Sequence, residues 1–139
     1  MTRRAQTLPS RGNDSEKITI NLGHMDLGRV DLLVQEGFYA NRTDFIRTAI
    51  RNQLDRHADA VSQSVTRRRL ELGLRQFTRA DLEAVRAAGE TLDIQVLGLA
   101  VIAADVSAQL ARETIGRLQV LGALQASAEV KAALRDRIV

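Results

Sequence analysis

Polar and apolar residues alternate strictly over KITINL, Lys17 to Leu22. Lys17, Thr19 and Asn21 fall on one side of an extended chain, and Ile18, Ile20 and Leu22 on the other, because successive strand side chains point to opposite faces. This spacing predicts a half-buried strand, yet nothing nearby in the sequence can pair with it. A lone strand leaves its backbone N–H and C=O groups unsatisfied, and even a two-stranded ribbon is marginal without a packed apolar face. From about Asp26 to Glu36 the period becomes helical, with Leu27, Val30, Leu33 and Val34 on one face. Gly37 ends that helix, where a left-handed residue is tolerated. A second helix opens at NRTDFIRTAIRNQLDRH. Asn41 is a favoured N-cap and Asp44, three residues on, can reach back toward the cap. Phe45, Ile46, Ala49, Ile50 and Leu54 form the inward stripe. Ala58, Val61 and Val65 extend it, so the helix either continues to about residue 65 or breaks into a linker near His57.

Beyond Thr66 the pattern repeats with a period of 24 residues. Leu70, Ile94 and Leu118 correspond, as do Leu72, Val96 and Val120; Asp81, Asp105 and Glu129; and Leu82, Val106 and Val130. The tetrapeptide QVLG recurs at 95–98 and 119–122. Each copy reads as a short strand (LELGL, IQVLGLAVI, LQVLGAL), a turn and a short helix (ADLEAVRAAG, VSAQLARETI, AEVKAALRDR), a plan that sets strands parallel and units side by side. The Leu-x-x-Leu-x-Leu-x-x-Asn signature of leucine-rich repeats is missing. The recurring acidic residues are expected in the first turn of each helix, where carboxylates are favoured. Gly73, Gly98 and Gly122 lack the strand–G-x-G-x-x-G–helix setting of a nucleotide site and read as close packing. The fold class is α+β.

Composition narrows the chemistry. The 139 residues suffice for one ordinary domain or two small ones. With no Cys, disulfides, thiolate metal sites and cysteine nucleophiles are excluded, which fits a cytoplasmic protein. MTRRAQTLPS has charges but no apolar segment of a secretory signal behind them. The uncharged run Ile94–Ala104 falls well short of the roughly 20 residues a membrane helix needs, so no membrane association is expected. Met1–Arg69 holds 12 basic against 8 acidic residues, and Leu70–Val139 holds 8 against 9. The basic half is therefore the N-terminal one, a weak pointer to an anionic partner. Residues 1–15 carry Arg3, Arg4 and Arg11 among polar residues without apolar periodicity, and are expected to form a disordered arm. Arg67, Arg68 and Arg69 read as a solvated junction. His24 and His57 are the only histidines; no metal site, cofactor or nucleophile–base pair is expected, and the chain is read as not an enzyme.

One strand, an apolar helix, a glycine-containing turn and a helix opening Asn-Arg-Thr-Asp-Phe-Ile-Arg form a distinctive order. Residues 17 to about 56 resemble the ribbon-helix-helix family of bacterial DNA-binding proteins, of the CopG and Arc type, in KITINL and in EGFYANRTDFIRTAIRNQL. The resemblance implies that the missing partner strand belongs to a second copy, giving an intertwined homodimer. Its ribbon would enter the major groove, with Lys17, Thr19 and Asn21 reading base edges. By the same resemblance the start of the second helix, Asn41, Arg42 and Thr43, would hold a backbone phosphate. Many relatives have Ser where this chain has Asn41, and both residues cap. Arg3, Arg4 and Arg11 could add sequence-independent phosphate contacts. The implied organisation is an arm over 1–15, a DNA-binding and dimerisation domain over 16–57, a helix extension or linker over 58–69, and a three-repeat module over 70–139 that joins dimers or receives a partner. The implied function is transcriptional regulation, as a repressor, on double-stranded DNA at the cytoplasmic nucleoid. Two rivals are an antitoxin repressing its own operon, which in this fold usually ends in a flexible toxin-binding tail, and a self-assembling structural protein tethered to DNA.

Overall fold

The computed structural model of the chain describes residues 15–139, so Arg3, Arg4 and Arg11, with nearly all of the expected arm, lie outside the described residues. The chain forms two compact units that change over between Asp59 and Ala60. In the first, residues 15–23 carry no regular secondary structure, followed by α1 (His24–Gln35) and α2 (Arg42–Arg56). Gly37 ends α1 as the pattern predicts, at φ +88°. Around it Phe38 N–H donates to Leu33 O at 3.0 Å and Gly37 N–H to Val34 O at 3.1 Å, which satisfies two terminal carbonyls of the helix. The Tyr39 ring then stands edge-on to Phe45, centroids 5.0 Å apart, and fixes the entry into α2.

This unit is short of a core. Val30 is buried, but α2 contains no buried residue at all. The stripe expected to face inward leaves Ile50 at 45% and Leu54 at 58% exposure, and Ile18 and Ile20 stand at 71% and 57%. The expected half-buried strand and inward stripe are therefore not buried within the single chain.

At the end of α2 neither sequence reading holds alone. His57, at φ −103° and ψ 14°, interrupts the helix, and α3 (Ala58–Arg68) resumes at once and runs past residue 65. The expected stretch of basic linker is mostly helix: Arg67 and Arg68 occupy its last turn, where cations suit the negative helix end. Arg69 takes the left-handed stop at φ +56°, with Leu70 N–H donating to Val65 O at 3.0 Å.

The second unit contains β1 (Glu71–Phe77), α4 (Arg79–Ala87), β2 (Leu92–Ile102), α5 (Ala108–Thr114), β3 (Ile115–Gln125) and α6 (Ala128–Ala133). The strands are parallel in the order β1-β2-β3. Two successive crossovers in one direction along the sheet place α4 and α5 on one face, and α5 packs against both α4 and α6. Leu82, Leu110 and Val130 from the helices and Leu134, just past α6, meet Ile94, Val96, Ile102 and Leu118 from the strands in one core. Each helix starts with a hydroxyl cap. Thr78, Ser107 and Ser127 accept from the amides of Asp81, Leu110 and Val130 at 3.1, 3.0 and 3.1 Å. Thr78 N–H in turn donates to Asp81 at 3.0 Å, completing a capping box. The one buried polar side chain among the core residues, Thr114, donates its hydroxyl proton to Leu110 O at 2.7 Å. On the outer edge of β3, Leu118 N–H donates to Arg137 O at 3.0 Å and Val139 N–H to Leu118 O at 2.9 Å.

The 24-residue period describes only part of this. It holds between β2 and β3, where Ile94 pairs Leu118, Val96 pairs Val120 and Gly98 pairs Gly122. Between β1 and β2 the offset is one residue longer, with Gly73 opposite Gly98, so Leu72 pairs Leu97 rather than Val96. Leu72 accordingly lies on the outer face, 64% exposed. The glycines set this alignment, because Gly98 and Gly122 are the positions where the neighbouring backbone leaves no room for a Cβ. The acidic set also divides: Asp81 and Glu129 stand in first turns, whereas Asp105 precedes the Ser107 cap. The last helix stops at Ala133, short of the predicted run to Arg137.

Three ion pairs and caps in this layer bear on pH. Thr78 N–H holds the Asp81 carboxyl below its ordinary range, Arg86 does so for Glu113 from the neighbouring helix, and Arg112 for Asp136. A carboxylate with a lowered folded-state pKa stabilises the fold above its unfolded value, and that contribution disappears as pH falls through the lower folded value. The thermal midpoint of the second unit should therefore be flat near neutrality and decline below roughly pH 4, the ordinary carboxylate range. Circular dichroism melts across an acid series check this, and an unchanged midpoint down to about pH 2 would contradict it.

Candidate nucleic-acid interface

Lys17, Thr19 and Asn21 are exposed in the segment leading to α1. Between them Ile18, Ile20 and Leu22 are also bare, at 71%, 57% and 42%. Among the described residues no strand pairs with this segment, since the sheet contains β1, β2 and β3 alone. The polar groups of Lys17, Thr19 and Asn21 thus stand free of any sheet among the described residues. Their chemistry spans the major-groove code, an ammonium for guanine O6 and N7, an amide for adenine N6 and N7, and a hydroxyl with a methyl for thymine.

The start of α2 is better formed. Asn41 sits as N-cap in an extended conformation, φ −166° and ψ 178°, and its Oδ1 accepts from Asp44 N–H at 2.8 Å. Asp44 does reach back, but to Ala40 N–H at 2.9 Å, one residue before the cap. The carboxylate is thus turned onto the chain entering the helix. The Arg42 and Thr43 amides belong to the first turn, which has no intrahelical carbonyls to bond and so favours an anion.

Arg42 is engaged differently from the expectation of a free phosphate donor. Its Nε and Nη2 donate to the two carboxylate oxygens of Asp31 at 2.8 and 2.9 Å, tying α2 to α1. These hydrogen bonds lower the Asp31 carboxyl below its ordinary range and raise the guanidinium further. The pair is solvent-facing, with side-chain exposures of 56% and 42%. Sequence reasoning missed Asp31 because it lies eleven residues away on another helix, off the apolar stripe. No helical period marks such a pairing; only the turn geometry that brings the two helices together does.

Asn41, Arg42 and Thr43 thus share one helix end, and Lys17, Thr19 and Asn21 share one short segment. Among the described residues no group of three or more His, Cys, Asp or Glu side chains is placed to hold a metal ion. Nor is any helix there long and apolar enough to cross a membrane.

A bare alternating segment, then two helices joined by a left-handed glycine turn, with the second helix capped by Asn41, is the arrangement of a ribbon-helix-helix protein. The model of the Ribbon-Helix-Helix transcriptional regulator family matches residues 13–131, and the chain belongs to that family. The match extends far beyond the segment that carries the sequence resemblance and takes in all three strands of the second unit. The chain is also 32% identical over 44 residues to the transcriptional regulator CdrS of Halobacterium salinarum, a match covering 32% of this chain and 80% of that protein. This relative is archaeal rather than bacterial. No solved structure matches the chain.

Proposed function

We propose that this protein is a homodimeric, sequence-specific DNA-binding regulator that acts as a repressor at the cytoplasmic nucleoid. The observation that carries the reading is the unpaired Lys17–Leu22 segment, whose apolar side is bare in a chain of a ribbon-helix-helix family. Two such segments paired antiparallel satisfy one another's backbone groups and lay Ile18, Ile20 and Leu22 over the exposed stripes of α1 and α2. Lys17, Thr19 and Asn21 then face outward into the major groove. The packed layer from β1 to α6 favours a regulator over an antitoxin, whose tail in this fold is usually flexible. That layer serves as the oligomerisation or partner-binding part. Mapping of bound DNA across the genome tests the reading: a compact palindromic motif supports it, while dispersed coverage would favour the structural scaffold.

Replacing Lys17, Thr19 and Asn21 together with Ala should bring affinity for the cognate duplex down to that for scrambled DNA, with dimer and helicity intact. Each good base contact contributes about 1–3 kcal/mol of discrimination, so fluorescence anisotropy on the two duplexes resolves the change readily. Retained preference would exclude this face as the reader.

Arg42→Ala should weaken binding to all sequences alike and reduce the salt slope by about 1. Asp31→Asn separates two roles, since it removes the tie to α1 but leaves the guanidinium. If Arg42 acts through phosphate, Asp31→Asn keeps the slope; a weakening equal to that of Arg42→Ala with both slopes unchanged would make Arg42 a purely structural link.

A further inference from the structure

The helices of the second unit cover one face of its sheet, and the other face is largely apolar. Two rows run across it in register, Leu72–Leu97–Leu121 and Leu74–Leu99–Ala123. Leu72 and Leu74 are each 64% exposed and Leu121 is 41% exposed. Glutamines border the rows at both ends, Gln95 and Gln119 before them, Gln76 and Gln125 after them. Parallel sheets ordinarily have both faces covered, so this one lacks a layer.

The face itself restricts what that layer can be. The two leucine rows and their glutamine borders carry no charged side chain; the next row out on the same face is the paired Asp93 and Arg117, with Gln95 donating to Asp93 at 3.2 Å, so the apolar patch itself offers nothing to DNA or to a charged peptide. It is self-complementary: a copy turned by a two-fold axis lying between the faces sets leucine on leucine and glutamine on glutamine, in either of the two such arrangements. Its size supplies the remaining constraint. Three strands about 4.8 Å apart and six residues at about 3.3 Å enclose on the order of 300 Å². Two copies together would bury roughly 600 Å², below the roughly 1,000 Å² of a free-standing interface. Such a face can hold a partner only if that partner is already tethered nearby, and a shared ribbon raises the effective concentration to about the millimolar range.

We propose that the outer face of this sheet docks on the same face of the other chain of the dimer, closing a two-layer sandwich of six strands. The proposal rests on the ribbon dimer of the preceding section.

The absence of Cys from the chain makes cross-linking with a short bismaleimide a clean test on the full-length protein. In both two-fold arrangements β2 lies over β2, so Leu97→Cys should cross-link at least tenfold more than Ala132→Cys, an exposed position on α6, and its yield should not change on dilution. Leu99→Cys gives the same readout should Leu97→Cys disturb folding. Thr19→Cys reports ribbon pairing independently. Cross-linking at Thr19→Cys with Leu97→Cys and Leu99→Cys no better than the α6 control overturns the sandwich and leaves the ribbon dimer standing. Failure at Thr19→Cys as well removes the dimer and the sandwich with it. A ladder of products above two chains from the Thr19→Cys/Leu97→Cys double variant would show faces pairing between dimers, which also overturns the proposal.

Discussion

Ile20→Asp should leave the protein monomeric, with the first unit unfolded and no affinity for any DNA. Ile20 is 57% exposed in the single chain, where such a change would cost almost nothing. In the proposed paired ribbon its side faces the helices, and a carboxylate there would be buried without a partner. The cost belongs to the class of exceptional substitutions, above about 4 kcal/mol, and exceeds what so small a unit can lose. Sedimentation should show one chain, circular dichroism should lose the signal of α1 and α2, and melting should retain the transition of the second unit. A variant that remained a dimer with native helicity would contradict the ribbon. The neighbouring Thr19→Ala, on the polar side, should alter none of these.

Gly122→Ala should abolish cooperative folding of the second unit, at a cost of at least about 4 kcal/mol. An added Cβ would collide with the carbonyl of Gly98, and at Gly98 it would collide with that of Gly73. In both cases the obstruction is the backbone of an adjoining strand, which cannot rotate away. Positive φ values of +124° and +139° add to the strain. Gly73 is the internal control. It has φ +104° with nothing within 4 Å of a would-be Cβ, so Gly73→Ala should cost only the backbone strain, about 1–3 kcal/mol. Denaturant unfolding of the three variants separates them; equal losses at all three would show that strand packing is not what demands glycine.

The sequence made the local elements legible wherever a single period governs them. The glycine stop at 37, the Asn41 cap and the β2–β3 alignment follow from short-range rules, and residues 17 to 56 carried enough order to point to the family. What escaped depends on contacts that no period encodes. The step at His57 followed by a renewed helix falls between two readings that the stripe of Ala58, Val61 and Val65 allows equally. The one-residue offset between β1 and β2 is set by a row of glycines, whereas the period of 24 aligned the exposed Leu72 with the buried Val96. Arg42 was legible as a helix-start cation, but not as the partner of Asp31, since that pairing is decided by the α1–α2 turn. For Ile18, Ile20, Ile50 and Leu54 the apolar alternation was legible, and all four stand exposed in the single chain, which is why the proposed dimer assigns their cover to a second copy.

The passage from α5 to β3 has no intervening residue: Thr114 ends the helix and Ile115 begins the strand. Leu92 pairs Ile115 but Asp93 pairs Arg117, which leaves Gly116 over as an irregularity at the head of the strand. That extra residue lets both Ile115 and Leu118 be buried although they stand three apart. Deleting Gly116 would invert the strand beyond it, turning Leu118 outward and Leu121 into the core. The turn at Ala88–Thr91, by contrast, lies between α4 and β2 as a spacer, so length variation is more tolerable before the second strand than at the head of the third.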